Sequence, residues 1–138
     1  VPAQIEDPQT FAVIGAAMFV QSELGFGFLE AVYQEALAIE LGFRGIPFTR
    51  QIALPISYRG IQLASHYRVD FICYDALLVE IKAVPSVGPI EVRQTLNYLR
   101  AAGRERALLL NFGAPSLQYR RIEFDGPTTK GPTSSPPG

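Results

Sequence analysis

Residues 68–82 read Arg-Val-Asp-Phe-Ile-Cys-Tyr-Asp-Ala-Leu-Leu-Val-Glu-Ile-Lys, and few architectures can house that string. It has the pattern of two short strands joined by a tight turn, with Asp70, Glu80 and Lys82 set deep in apolar runs. Burying an unpaired carboxylate or ammonium is costly, so a sheet that accepts these three must bring them partners. Strand side chains alternate between faces. Val69, Phe71 and Cys73 would then share a wholly apolar face with Leu77, Val79 and Ile81, while Arg68, Asp70 and Ile72 share the other with Leu78, Glu80 and Lys82. Register decides which charges meet. A two-residue turn at Asp75-Ala76 would pair Asp70 with Ile81 and mix the faces. A three-residue loop over Tyr74-Asp75-Ala76 pairs Asp70 with Glu80 and keeps one face dry, and because one face must be buried this register is expected. Opposed carboxylates repel in a bare sheet, and a hard divalent cation between them would remove that penalty. The competing account of the same residues is structural: Lys82 neutralises both carboxylates in an ion-pair cluster at a sheet edge.

The flanking sequence supplies the rest of a domain. Asp7-Pro8 is a helix start, an N-cap carboxylate followed by proline at the first helical position. Phe11, Ile14, Met18 and Phe19 follow at helical spacing until Gly25 and Gly27. A second helix is expected over Leu29 to Leu41, with Val32, Ala36, Leu37 and Leu41 facing inward and Gly42 as its stop. From Phe48 the period changes. Thr49–Tyr58 reads as a strand in which Pro55 asks for an edge or a bulge, and Arg59-Gly60 as a hairpin turn into a short strand Ile61–Leu63. After the strands around Asp70 and Glu80, Pro85, Gly88 and Pro89 break the chain before a third helix, Ile90 to Ala102, closed by Gly103. Ala107–Asn111 is apolar throughout, as in a sheet centre, and Gln118–Phe124 alternates. The expected order is α-α-β-β-β-β-α-β-β, an α/β sandwich with a mixed sheet flanked by helices.

At 138 residues the chain is long enough for one domain, placed at residues 1–125, and the Pro/Gly/Ser/Thr-rich segment 126–138 reads as a disordered tail or linker. A net charge of −1 argues against salt-resistant, non-specific attraction to polyphosphate. Ten of the 12 basic residues are nonetheless arginine, whose fork suits phosphate or carboxylate, so a local basic patch is compatible with the sequence. Cys73, the only cysteine, leaves no intrachain disulfide or thiolate zinc site and reads as strand filler; a lone His66 argues against His-based metal clusters and a Ser-His-Asp triad. The longest apolar run, Phe11–Val20, is about half a membrane span, so no membrane association is expected. It has no basic leader before it, and a chain that begins at Val1 leaves a removed leader open. The cytoplasm is the default location.

Two pairs could join the charged hairpin. Gln94 and Tyr98 are four apart on the third helix and share a face, and that helix follows the Lys82 strand directly. Glu30 and Tyr33 are three apart on the second helix and share a face there. Each pair has an ordinary alternative, a half-exposed helix face for Gln94 and Tyr98, and a first-turn glutamate favoured by the helix dipole for Glu30.

Taken in order, these residues resemble the PD-(D/E)xK nuclease superfamily and, more narrowly, its small bacterial branch of GxxExxY proteins. The naming motif stands as Gly27-Phe28-Leu29-Glu30-Ala31-Val32-Tyr33, the superfamily motif as Asp70 with Glu80-Ile81-Lys82, and a Gln-x-x-x-Tyr element as Gln94 to Tyr98. Further similarity runs through Gln51, Pro55, Tyr58-Arg59-Gly60, Asn111-Phe112-Gly113 and Arg121-Ile122, covering about residues 8 to 124. Arg-Val precedes Asp70, so the proline of the superfamily name is absent. The resemblance implies a restriction-endonuclease-like core in which Asp70, Glu80 and the Ile81 carbonyl ligate Mg²⁺ (Mn²⁺ as the alternative), with Glu30 as a further carboxylate. Lys82 would orient or help deprotonate the attacking water. Gln94 and Tyr98 would position the metal site or the nucleic-acid backbone, with Arg68 beside them on the substrate. The implied activity is phosphodiester hydrolysis of DNA, less readily RNA, with a homodimer left open. The rival functions are a catalytically silent nuclease-like module that binds nucleic acid or a protein, and a plain structural or oligomerisation domain.

Overall fold

The computed structural model describes residues 7–124. Helix α1 spans Pro8–Leu24, and Asp7 caps it by accepting a hydrogen bond from Thr10 N at 3.1 Å. Helix α2 spans Glu30–Phe43. Strands β1 (Phe48–Tyr58), β2 (Ile61–Cys73) and β3 (Leu77–Lys82) follow, then helix α3 (Pro89–Ala102) and strands β4 (Arg106–Asn111) and β5 (Gln118–Glu123). The expected second-helix stop at Gly42 is one turn early. The helix runs through Gly42, and the left-handed position falls to Gly45, with Ile46 N donating to Leu41 O and Gly45 N to Gly42 O.

The sheet has five strands in the order β1-β2-β3-β4-β5, all neighbours antiparallel except the parallel β3–β4 pair that α3 connects. The mixed α/β sandwich is as expected, but the separate strands at Ile61–Leu63 and around Asp70 are one. No glycine or proline stands between Ile61 and Cys73 to end the strand early.

Two cores sandwich the sheet. Helices α1 and α2 cover one face through Val13, Ala16, Ala17, Leu37 and Leu41 against Phe71, Val79, Ile81, Leu108 and Leu110. Helix α3 covers the other through Leu99 against Ile72, Leu78, Ala107 and Leu109. Within α1 the buried stripe is the small-residue one, while Phe11 and Met18 stay 71% and 55% exposed. Between Gln9 and Gln21 that helix carries no charge, so its periodicity held little directional signal, and close approach selected the alanines. Val32 is likewise exposed on α2, and Tyr33 takes the inward place beside Leu37 and Leu41.

Candidate active site

The hairpin adopts the expected register. Cys73 pairs with Leu77, Ile72 with Leu78 and Phe71 with Val79, around a loop at Tyr74–Ala76 in which Tyr74 and Asp75 have positive φ. One step further the ladder stops, and the carboxylates take its place. Asp70 N donates to Glu80 Oε2 at 3.3 Å, and Ile81 N donates to Asp70 Oδ2 at 2.8 Å. On the other side of β2, Gln51 stands opposite Asp70 with φ 55 and no ladder pair, so the strand is irregular at this point on both flanks. This corrects the expected faces: Val69 packs with Ile72 and Leu78 in the α3 core and not with Phe71. The alternation breaks at Asp70, and the two carboxylates reach toward opposite layers while each accepts a backbone N–H of the facing strand.

Asp70 Oδ1 accepts from Gln34 Nε2 at 2.8 Å, and the same amide group donates to Glu30 Oε2 at 3.1 Å. Gln34 thus ties the head of α2 to the sheet. Glu80 Oε1 accepts from the Tyr67 hydroxyl at 2.7 Å, and the Tyr67 ring stacks on Tyr98 of α3 at 3.5 Å and 7°. Lys82 Nζ donates to Gln94 Oε1 at 3.0 Å. None of the ion pairs among the described residues involves Lys82, which weighs against the salt-bridge account of the hairpin. Arg68 is exposed and donates to Gln51 O at 3.2 Å across the β1–β2 pair, outside the hydrogen-bonded cluster.

Burial dominates the electrostatics. Asp70 is pushed up to about 6 by desolvation, helped by the Glu30 charge and opposed by the Ile81 N–H, Lys82 and Arg50. Glu80, wholly buried, is pushed up to about 8 by desolvation and then by Asp70, against the Tyr67 and Asp70 N–H hydrogen bonds and Lys82. Burial also raises Glu30, with Lys82 opposing. Tyr67 is raised by burial and then by Glu80, so its hydroxyl stays a proton donor. Two electrostatically interacting carboxylates held above their ordinary range, with the backbone of Ile81 beside them, are a hard-oxygen donor set whose repulsion a divalent cation would relieve. Among the described residues no three acidic, histidine or cysteine side chains already stand together as a metal cluster, and Glu30 is one bridging amide away.

The two remaining sequence motifs act as supports. Tyr33 is buried, its hydroxyl donates to Gly25 O at 2.7 Å and accepts from Phe28 N at 3.3 Å, and its ring stacks on Phe112 at 4.7 Å. It fixes the loop that delivers Glu30. Phe112 N donates to Lys82 O at 2.9 Å, and Asn111 clamps Val84 through its N–H and carbonyl, both at 2.9 Å. A side chain at Gly113 would come within 2.4 Å of the Val84 backbone, so only glycine fits where this loop crosses the end of β3. Gln34 and Tyr67 were not singled out from sequence. Their signals were a polar residue one turn after Glu30 and an aromatic three before Asp70, neither specific by itself.

A family model described as the PD-(D/E)XK nuclease superfamily matches residues 7–122. The chain belongs to that superfamily. Among solved structures, the crystal structure of SSO0001 aligns with a TM-score of 0.52 at 16% identity, covering 67% of this chain and 48% of the other. That likeness shows a shared fold. An alkaline exonuclease (LHK-Exo) from Laribacter hongkongensis aligns with a TM-score of 0.46 at 18% identity, covering 64% and 52% of the two chains. This superfamily member thus spans about half the length of each of these two structures. No curated protein matches its sequence.

Proposed function

We propose that this domain is a divalent-cation-dependent nuclease of the GxxExxY type, acting on DNA in preference to RNA, with Mg²⁺ as its ion and Mn²⁺ as a substitute. The observation that carries the reading is the carboxylate exchange between Asp70 and Glu80 in place of a ladder rung, next to a lysine that is free of ion pairs. Asp70, Glu80 and the Ile81 carbonyl would hold the cation, with Glu30 as a further carboxylate once Gln34 releases it. The bound ion would supply positive charge at the scissile phosphate and make water a better nucleophile. Lys82, held by Gln94, orients the attacking water and stabilises charge at the phosphate. Tyr98 acts through its stack on Tyr67, which fixes Glu80. Arg68 reaches the nucleic-acid backbone. Membership of a nuclease superfamily supports phosphodiester hydrolysis, and no helix among the described residues is long and apolar enough to cross a membrane. We place the domain at residues 1–125 and in the cytoplasm.

Purified protein incubated with supercoiled, linear and single-stranded DNA in Mg²⁺ or Mn²⁺ tests this. Cleavage that is lost on chelation and in Asp70→Ala and Lys82→Ala is the expected result, and equal activity of those variants would sink it. A second reading, a catalytically silent nucleic-acid-binding or protein-binding module, is favoured by one observation. Both carboxylates are already satisfied by protein donors. Calorimetry that detects no Mg²⁺ or Mn²⁺ binding beside retained DNA or protein binding selects it.

A further inference from the structure

The chain carries a two-stranded ribbon that its core does not use. Strand β2 pairs with β3 only over Phe71–Cys73, so the outer part of the β1–β2 hairpin continues without a third strand. Every residue from 55 to 66 is exposed, and burial resumes only at Leu54 on β1 and Val69 on β2. At about 3.3 Å per residue the tip stands roughly 15–20 Å beyond Leu54. An isolated two-stranded hairpin is marginal in water, and an open apolar strand edge invites misassociation. This one is capped by a tight turn with both Arg59 and Gly60 at positive φ (53 and 81), a rare conformation for arginine.

Its surface is polarised in charge and in hydropathy. No acidic residue lies between Glu40 and Asp70, whereas Arg50, Arg59 and Arg68 fall within the hairpin of a chain whose net charge is −1. Arg50 lies close enough to Asp70 to oppose its desolvation, and Arg68 braces the hairpin base through Gln51 O. Arg59 stands at the tip. Tyr58 pairs with Ile61 beside it, and these side chains are 64% and 69% exposed, with Leu63, also exposed, where the β1–β2 register shifts.

We propose that the β1–β2 ribbon is a DNA-docking arm that enters the major groove of B-form duplex flanking the site of cleavage. The proposal rests on the nuclease reading above and adds the substrate form. The charge is complementary to phosphate along a track that starts at Asp70 and ends at Arg59. The B-form major groove is about 12 Å wide and admits a two-stranded ribbon, whereas the A-form groove of duplex RNA is too narrow. Exposed Tyr58, Ile61 and Leu63 suit the apolar contacts that such a groove offers, as at thymine methyls.

The test is fluorescence anisotropy of the full chain in EDTA with a labelled DNA duplex about two helical turns long, against the single strand and the RNA duplex of equal length. Wild type is expected to prefer the DNA duplex. Arg59→Glu is expected to weaken that binding about tenfold and lower the salt slope by about 1, with Tyr58→Ala also weaker and Arg120→Glu on β5 within about twofold. All three positions are exposed, and an unchanged melting temperature confirms folding. Unchanged binding in both ribbon variants, or equal binding of the three nucleic acids, overturns the arm. So does sedimentation showing a dimer that Tyr58→Ala dissolves while duplex binding persists, because the ribbon then joins two copies. Cleavage is scored separately in Mg²⁺ with Asp70→Asn. If wild type never cuts but ribbon-dependent binding holds, the nuclease reading fails and the arm stands. If cleavage is intact and ribbon variants bind normally, the arm alone fails.

Discussion

The two halves of β3 are three residues each and are held by different means. Leu77–Val79 pairs on one side with Cys73, Ile72 and Phe71 and on the other with Arg106, Ala107 and Leu108, and every one of its side chains is buried. Glu80–Lys82 keeps its partners on β4 only, and on the β2 side two carboxylates stand in for the ladder. One half is stable because it is repetitive. The other gives up repetition to place charge where charge is costly, and it draws its order from the half beside it.

Exchanging the consequences of mutation would break that contrast. Asp70→Asn is expected to reduce cleavage at least about a hundredfold while leaving the fold intact, since the amide matches the carboxylate in size and its oxygen can still accept from Ile81 N. Leu78→Ala, two residues from Glu80 on the same strand, should cost about 2–5 kcal/mol of stability with activity per folded molecule nearly unchanged. Urea unfolding beside a cleavage assay measures both. A collapse of stability in Asp70→Asn with activity per folded molecule retained would falsify the division.

A pH series sharpens it. Asp70 and Glu80 are both raised from 3.8 and 4.5 to about 6 and about 8. In metal-free protein the folded state therefore holds more protons than the unfolded state between about pH 4 and 8. Their contribution to stability is full below about pH 4 and is lost as pH rises through about 6 and then about 8. Urea midpoints should fall across that window, and Glu80→Gln should flatten the upper part. A divalent cation at about 100 times its Kd should restore on the order of 2.7 kcal/mol at pH 8. A flat wild-type profile would show that the carboxylates are not desolvated in solution.

The smallest expected effect lies one contact further out. Tyr67→Phe removes the hydroxyl that holds Glu80 and keeps the stack on Tyr98. Calorimetry with Mn²⁺ should show affinity lower by about tenfold, and stability should fall by about 1 kcal/mol. Wild-type affinity in that variant would reduce Tyr67 to a packing residue.

Local rules carried most of the fold. The Asp7-Pro8 start and the Gly103 stop each follow from a residue with a narrow backbone preference, and both stand where sequence places them. The α1 stripe was not legible, because a helix apolar on all sides turns by tertiary fit alone. At the site, the register that pairs Asp70 with Glu80 followed from keeping one face dry. The irregularity at Gln51 and Asp70 did not, since it arises from side chains competing with backbone for the same N–H groups. Gln34 and Tyr67 were hidden for a related reason: their partners lie 36 and 13 residues away.

The substitution of carboxylates for a ladder rung bears on how relatives of this chain are to be sorted. Asp70 and Glu80 tie β2 to β3, so a descendant that abandoned chemistry would still be selected to keep them for the sake of its sheet. Lys82 makes no bond across the sheet, because its ammonium bonds only the Gln94 side chain. Among related sequences, then, loss of the lysine marks a retired enzyme sooner than loss of either acid.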